Sequence, residues 1–250
     1  MEGMLSERQK TILDTVIREY VATAEPVASA ELARKYRLGF SPATVRSELV
    51  ALDEAGYLDQ PHTSAGRIPT DRGYRFFINH MMGSAPLRQS REAGGIADRE
   101  ERVLRRLALL DEPGEFVRQA GRALAHLTRS FVLASLPDED LFYKAGLAEV
   151  MQEPEFSDGL AVHEFSSLLD TIEDDFRRWF DPADLNEPRT FIGRENPIPR
   201  ARHYGMIVAA CPTPFEKAGI IALIGPKRMD YEHNLALLRH FREILDAAYE

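Results

Sequence analysis

Apolar positions along the first eighty residues mark out four helices and a hairpin. After Ser6, residues Ile12, Leu13, Val16, Ile17 and Tyr20 recur at helical spacing. Ser6 is a suitable N-cap, since its hydroxyl can accept a bond from a free backbone N–H of the first turn. This helix is expected to end near Thr23, ahead of Glu25-Pro26. A short second helix is expected over residues 28–36, with Leu32 and Ala33 turned inward, broken by Arg37-Leu38-Gly39-Phe40. Ser41-Pro42 then opens a third, pairing an N-cap with proline at the first helical position, and Gly56 stops it after about Ala55. Residues 57–60 read as a strand, 62–66 as a polar loop and 67–69 as a returning strand. Thr70 caps a fourth helix over residues 71–82. A helix–turn–helix followed by a β-hairpin is the element order of a winged helix.

The pattern changes after Met82. Residues 83–95 (GSAPLRQSREAGG) are rich in Gly, Ser, Pro and Arg and lack apolar periodicity, which reads as a linker extending to about residue 97. Helical patterns follow at 98–110 and 115–128, then a strand at 131–136 and a turn at Pro137-Asp138-Glu139-Asp140. Further helices are expected at 146–151 and 163–180. The runs MIVAAC (206–211) and GIIALI (219–224) are continuously apolar, as strands buried on both faces are. Asp230 caps a closing amphipathic helix carrying Leu235, Leu238, Phe241 and Leu245. The fold class implied is an α+β multidomain chain, with a winged helix in residues 1–82, a linker in 83–97 and an α/β domain in 98–250.

The third helix carries the chemistry. With Val45 set to zero and an advance of about 100° per residue, Leu49 falls near 40° and Leu52 near −20°, one buried stripe. The opposite face holds Ala43, Ser47, Val50 and Glu54, flanked by Thr44 and Arg46. Small residues, two hydroxyls and one long cation suit entry into a major groove, where arginine can bond guanine O6/N7 or a phosphate. Free N–H groups at the Ser41 end offer a phosphate site. The hairpin tip, His62-Thr63-Ser64-Ala65-Gly66-Arg67, is polar and cationic, which suits phosphate or minor-groove contact.

Charge changes this picture less than its total implies. The net charge is −9, yet residues 1–82 hold 10 Lys+Arg against 11 Asp+Glu, and the remainder 21 against 29. The acidic excess is therefore C-terminal. A membrane span and an export signal are not expected, since no run reaches ~20 apolar residues and the N-terminus is charged. The single cysteine, Cys211, excludes an internal disulfide framework and fits a cytoplasmic protein. The seven histidines are scattered, so no metal site and no cofactor is expected. Cys211 reads as a buried thiol, and Asp170, Glu173, Asp174 and Asp175 as a solvated helix face. Gly225 to Asp230 lacks phosphate-loop spacing and reads as a strand-to-helix connection. With no nucleophile–base pair or paired carboxylates, an enzyme is not expected. A small-molecule sensor with DNA binding as its output is the alternative to an operator-specific repressor.

The stretch EPVASAELARKYRLGFSPATVRSELVALDEAGYLDQPHTSAGRIPTDRGYRFF, residues 25–77, resembles the HrcA family of heat-inducible transcription repressors. The resemblance resumes in LFYKAGLAEVMQEPEFS (141–157), IGREN (192–196) and GIIALIGPKRMDY (219–231). It implies a homodimer on an inverted-repeat operator, the CIRCE element, upstream of chaperone operons, with repression relieved by heat and restored with help from the chaperonin GroEL. It implies a GAF-like fold with a dimerisation role for the C-terminal domain. By position, Ser41, Thr44, Arg46 and Ser47 would contact the operator from the recognition helix, and His62 and Arg67 from the wing, with Thr63 and Ser64 between them. The sequence departs from the family pattern at three places. Only residues 137–140 stand where the family carries an inserted dimerisation domain, Ala30 replaces a usual basic residue, and Ser47 replaces a common asparagine.

Overall fold

Residues 5–83, 96–213, 215 and 218–249 are described by a computed structural model. The chain divides into two compact units, Met1–Ala85 and Pro86–Glu250. Of the linker expected over 83–97, residues 84–95 lie outside the described residues.

In the first unit, α1 spans Glu7–Thr23 behind a capping box, Ser6 and Gln9 each bonding the other's backbone. It buries Ile12, Leu13, Val16 and Ile17 completely. Then come α2 (Ser29–Lys35), α3 (Pro42–Glu54), β1 (Leu58–Asp59), β2 (Ile68–Pro69) and α4 (Asp71–Gly83). Leu32 of α2 is buried as expected, whereas Ala33 is half-exposed. The hairpin pairs Leu58 with Pro69 and Asp59 with Ile68. A third arm, absent from the sequence reading, joins it: Val27 bridges Arg67. The winged-helix expectation therefore holds, with a sheet one bridge wider than the hairpin alone.

The second unit contains α5 (Asp98–Leu107), α6 (Pro113–Thr128), β3 (Phe131–Leu136), β4 (Leu141–Ala145), α7 (Leu147–Val150), α8 (Gly159–Leu169), α9 (Ile172–Trp179), β5 (Arg189–Ile192), β6 (Tyr204–Cys211), β7 (Gly219–Pro226) and α10 (Tyr231–Tyr249). The strands form one sheet ordered β4-β3-β7-β6-β5, every neighbour antiparallel. Cross-strand register places Phe131 against Ile224 and Leu133 against Ala222. Met206 faces Ile224 and Val208 faces Ala222, which aligns these side chains on one side. They pack on Phe165, Leu168 and Phe176 of α8 and α9. The other side carries Val132, Ala134, Ile207 and Leu223 and meets α6 and α10, whose Phe116 and Phe241 rings stack with centroids 6.4 Å apart. Covering on both faces explains why β3, β6 and β7 read as unbroken apolar runs. The expected class, a winged helix followed by an α/β domain, is the one observed.

Several element boundaries differ from expectation. The helix expected at 163–180 is two, because Thr171 leaves helical geometry (φ −116°, ψ −1°) and its hydroxyl bonds Asp175 at 3.0 Å. Glu173, Asp174 and Asp175 then lie in the first turn of α9, where carboxylates favour the positive end of the helix dipole. The stretch 146–151 forms one helical turn, and α5 ends at Leu107 rather than at 110. Strands β4 and β5 were not anticipated. The connection 225–230 binds inward rather than presenting a cradle: Arg228 holds Glu155 at 2.7 Å and Glu153 at 2.5 Å, and Asp230 accepts from the His233 amide at 3.0 Å.

Candidate nucleic-acid interface

Ser41 shapes the entrance to α3. Its hydroxyl accepts from the Thr44 amide at 3.1 Å and lies 2.9 Å from the Thr44 hydroxyl. Capping in this way, with Pro42 at the first helical position, starts the helix at a fixed residue and so fixes its rotation. Val45, Leu49 and Leu52 are 0%, 4% and 0% exposed. Burying three such side chains contributes about 1.5–3 kcal/mol each, which holds the opposite face outward. On that face Ala43, Arg46, Ser47, Val50 and Glu54 are exposed, and Thr44 is half-exposed. The Ser47 hydroxyl folds back onto the Thr44 carbonyl at 2.9 Å, leaving its oxygen lone pairs outward. Arg46 has no ion-pair partner among the described residues; the same holds for the exposed Arg34, in the last turn of α2, and Arg37, between α2 and α3.

Glu48 would place a carboxylate one position from this face, but it points inward, buried and ion-paired with Arg8 of α1. Arg8 in turn lies over the Phe40 ring. A second clip joins α1 to α2. Glu19 is buried and accepts two bonds from the Lys35 ammonium, at 2.7 and 2.6 Å, and one from the Tyr36 hydroxyl. The hydrogen bond from Lys35, then that from Tyr36, holds the Glu19 carboxyl below its usual range and raises Lys35 and Tyr36 in return. Neither clip was read from the sequence. A carboxylate at a helical position facing a neighbouring helix is the only local signal they carry.

The wing tip is exposed at His62, Thr63 and Ser64, with the His62 ring nitrogen Nδ1 3.2 Å from the Ser64 hydroxyl. Gln60 closes the loop from beneath, donating to the carbonyls of Thr63 (3.1 Å) and Ala65 (2.9 Å). Arg67 is not at the tip. Its backbone exchanges two hydrogen bonds of 2.9 Å with Val27. Its side chain is 14% exposed, with Nε 3.0 Å from an Asp53 oxygen. The Nε–H does not point along that contact in hydrogen-bond geometry, so the pairing is ionic in character. The cationic hairpin tip expected from the sequence is thus a polar tip of His62, Thr63 and Ser64, with the Arg67 cation half-buried at its root. Helix α3 and the wing tip do share one unit, and α4 is tied to the α3–β1 turn by Thr70 and Arg72, which bond the carbonyls of Gly56 (2.7 Å) and Ala55 (2.9 Å).

Among the described residues no group of three or more His, Cys, Asp or Glu side chains is placed to hold a metal ion. No described helix is long and apolar enough to cross a membrane.

Comparison with known proteins adds sequence to this geometry. Residues 1–66 match the model of the LexA DNA binding domain. A heat-inducible transcription repressor HrcA of Pelotomaculum thermopropionicum is 44% identical over 126 residues, covering 50% of this chain and 34% of that protein. The repressor of the same name from Chloroflexus aggregans is 44% identical over 148 residues, 58% of this chain and 37% of that protein. That from Symbiobacterium thermophilum is 42% identical over 151 residues, 60% and 41% respectively. The matches therefore span about two fifths or less of these relatives' own lengths. A crystal structure of a hypothetical protein shares the fold with a TM-score of 0.78 at 19% identity, covering 98% of this chain and 99% of that one. These relatives are named as transcription repressors and not as enzymes. The HrcA protein C terminal domain model matches residues 98–234, more than half of the chain; the chain belongs to the HrcA family.

Proposed function

We propose that this chain is a cytoplasmic transcriptional repressor of heat-shock genes, binding an inverted-repeat, CIRCE-like operator in double-stranded DNA as a homodimer and releasing it on heat stress. The observation that carries the reading is the orientation of α3: its apolar stripe is buried, and Thr44, Arg46 and Ser47 are left on or beside the open face. In this reading α3 enters the major groove, with Arg46 bonding a guanine edge and Thr44 and Ser47 reading neighbouring bases. Pro42 has no N–H and the Thr44 amide is taken by the Ser41 hydroxyl, so the Ala43 amide is the first-turn donor left for a phosphate. His62, Thr63 and Ser64 meet the backbone or minor groove beside it, and Arg34 and Arg37 add phosphate contacts. Residues 1–82 form the reading domain, 83–97 the linker and 98–250 the domain with the dimerisation role, so that two reading heads face two half-sites about one helical turn, or a multiple of it, apart. The chaperonin GroEL is the partner expected to restore the repressing form.

A labelled duplex carrying an inverted repeat from a chaperone operon, titrated against a scrambled duplex of the same composition, tests this. The expected result is tighter binding to the repeat, two chains per duplex by sedimentation, and loss of the complex at heat-shock temperature. Equal affinity for both duplexes, or binding unaffected by heating, contradicts it.

A further inference from the structure

The strongest departure from the sequence reading lies at Arg67. Its own residue makes connections to two other parts of the fold. Its amide and carbonyl both bond Val27, in the segment just before α2. Its guanidinium lies against Asp53, in the last turn of α3. The preceding residue, Gly66, leaves no room for adjustment: a Cβ there would lie 2.4 Å from the Val27 carbonyl carbon and 2.5 Å from its oxygen. The root of the wing is therefore seated on the helix–turn–helix at a fixed register. The tip, at His62 to Ser64, is exposed; it is closed by Gln60 and by local contacts within the loop, the Ala65 amide to the His62 carbonyl at 2.8 Å and His62 to Ser64, with no hydrogen bond or ion pair to α3 among the described residues.

Asp53 gives the contact a second consequence. Seven residues separate it from Arg46, which at about 100° per residue brings the two within roughly 20° around the helix axis. Left bare, this half-exposed carboxylate would repel a phosphate backbone laid along the Arg46 side. The Arg67 guanidinium covers it.

We propose that Arg67 is a positioning residue rather than a DNA contact: its ion pair with Asp53 fixes the wing relative to the recognition helix and cancels a carboxylate that would otherwise oppose DNA on the Arg46 flank. The inference rests on the reading of the unit as a DNA-binding head, and the residues themselves supply an experiment in which the two can fail separately.

Asp53→Asn and Arg67→Gln are compared with the unsubstituted full chain on the inverted-repeat and scrambled duplexes over a range of salt. Simple charge arithmetic has Asp53→Asn tighten binding to both, since a negative charge is removed. The clip has it weaken binding to the repeat by about threefold to tenfold, the size of a pairwise coupling, without weakening the scrambled complex. A phosphate contact at Arg67 would lower the slope of log affinity against log salt by about one in the double variant Asp53→Asn with Arg67→Gln, whose pair carries the same net charge as the original; a residue that only positions the wing leaves that slope unchanged. Exchanging the charges, Asp53→Arg with Arg67→Asp, restores preference for the repeat. In the free protein, amide exchange at Arg67 becomes about tenfold faster or more in Asp53→Asn, as the bridge to Val27 loosens. Unchanged exchange, tightening on both duplexes, or a slope reduced by one overturns the clip. Failure of the unsubstituted chain to distinguish the duplexes, with exchange still accelerated in Asp53→Asn, sinks the DNA-binding reading and leaves the clip standing.

Discussion

The two units of this chain solve the same problem, burying apolar surface, by different means. The winged helix buries one stripe of each helix and leaves a face of α3 uncovered, so its core and its candidate site are two sides of the same element. In the C-terminal unit the central strands β3, β6 and β7 are covered on both faces, and Phe131, Phe165, Phe156 and Tyr204 interlock across the sheet–helix seam with ring centroids 5.0–6.1 Å apart. Several of its charged groups are held in internal ties, among them Arg228 with Glu153 and Glu155 and Lys144 with Glu173. The comparison teaches that a chemical site is readable where polar side chains are left over once packing is satisfied. The first unit has such a remainder in Arg46 and its neighbours, while the second places its acidic excess in ties and solvated faces.

Substitutions sharpen this contrast in order of size. Phe165→Ala removes a fully buried ring at the centre of the C-terminal core and is expected to cost about 3–5 kcal/mol of that unit's stability, seen by calorimetry as a lowered transition. A shift of less than about 1 kcal/mol would show the seam to be far looser than the contacts indicate. Arg46→Ala leaves the α3 stripe untouched, so it is expected to preserve stability while reducing preference for the repeat by about 1–3 kcal/mol, read in competitive titrations. An unstable Arg46→Ala protein would mean that the residue belongs to the packing after all.

Acid pH probes the clip between α1 and α2. Because Glu19 is held below its unfolded value of 4.5, its contribution is fully present above that pH and is lost as pH falls through the lower folded value. Urea midpoints of the unsubstituted chain and Glu19→Gln are therefore expected to differ most at neutral pH and to draw together as pH falls below 4.5; a gap that does not narrow on acidification would mean the carboxylate is not what stabilises the contact. The smallest effect belongs to Cys211. Burial pushes its thiol up to about 12, so a disulfide reagent at mild alkaline pH is expected to leave it unmodified until the chain is unfolded. Rapid labelling of the native protein would contradict the buried strand end.

Much of α3 could be read directly because its determinants are local: the Ser41-Pro42 start, the Val45, Leu49, Leu52 stripe and the Gly56 stop lie within sixteen residues. Arg67 could not be placed that way. Whether its side chain points to solvent or to Asp53 depends on the hairpin's return path, which brings together residues fourteen positions apart. The break at Thr171 was hidden for a related reason: Phe165, Leu168, Ile172 and Phe176 keep helical spacing straight across it. Edge strands β4 and β5 gave weak patterns because only one side of each pairs, with β3 and β6 respectively. LFYKA is half-buried along nearly its whole length and RTFI is only four residues long, so neither shows the solid apolar run of the central strands.

Selection of bound duplexes from a random pool, run in parallel on the unsubstituted chain and on Arg46→Ala, tests the outward-facing helix most directly. The account predicts an enriched pair of inverted half-sites, with preference at a guanine position lost in the substituted protein and the spacing unchanged. No enriched sequence, or the same sequence enriched by both proteins, would contradict it.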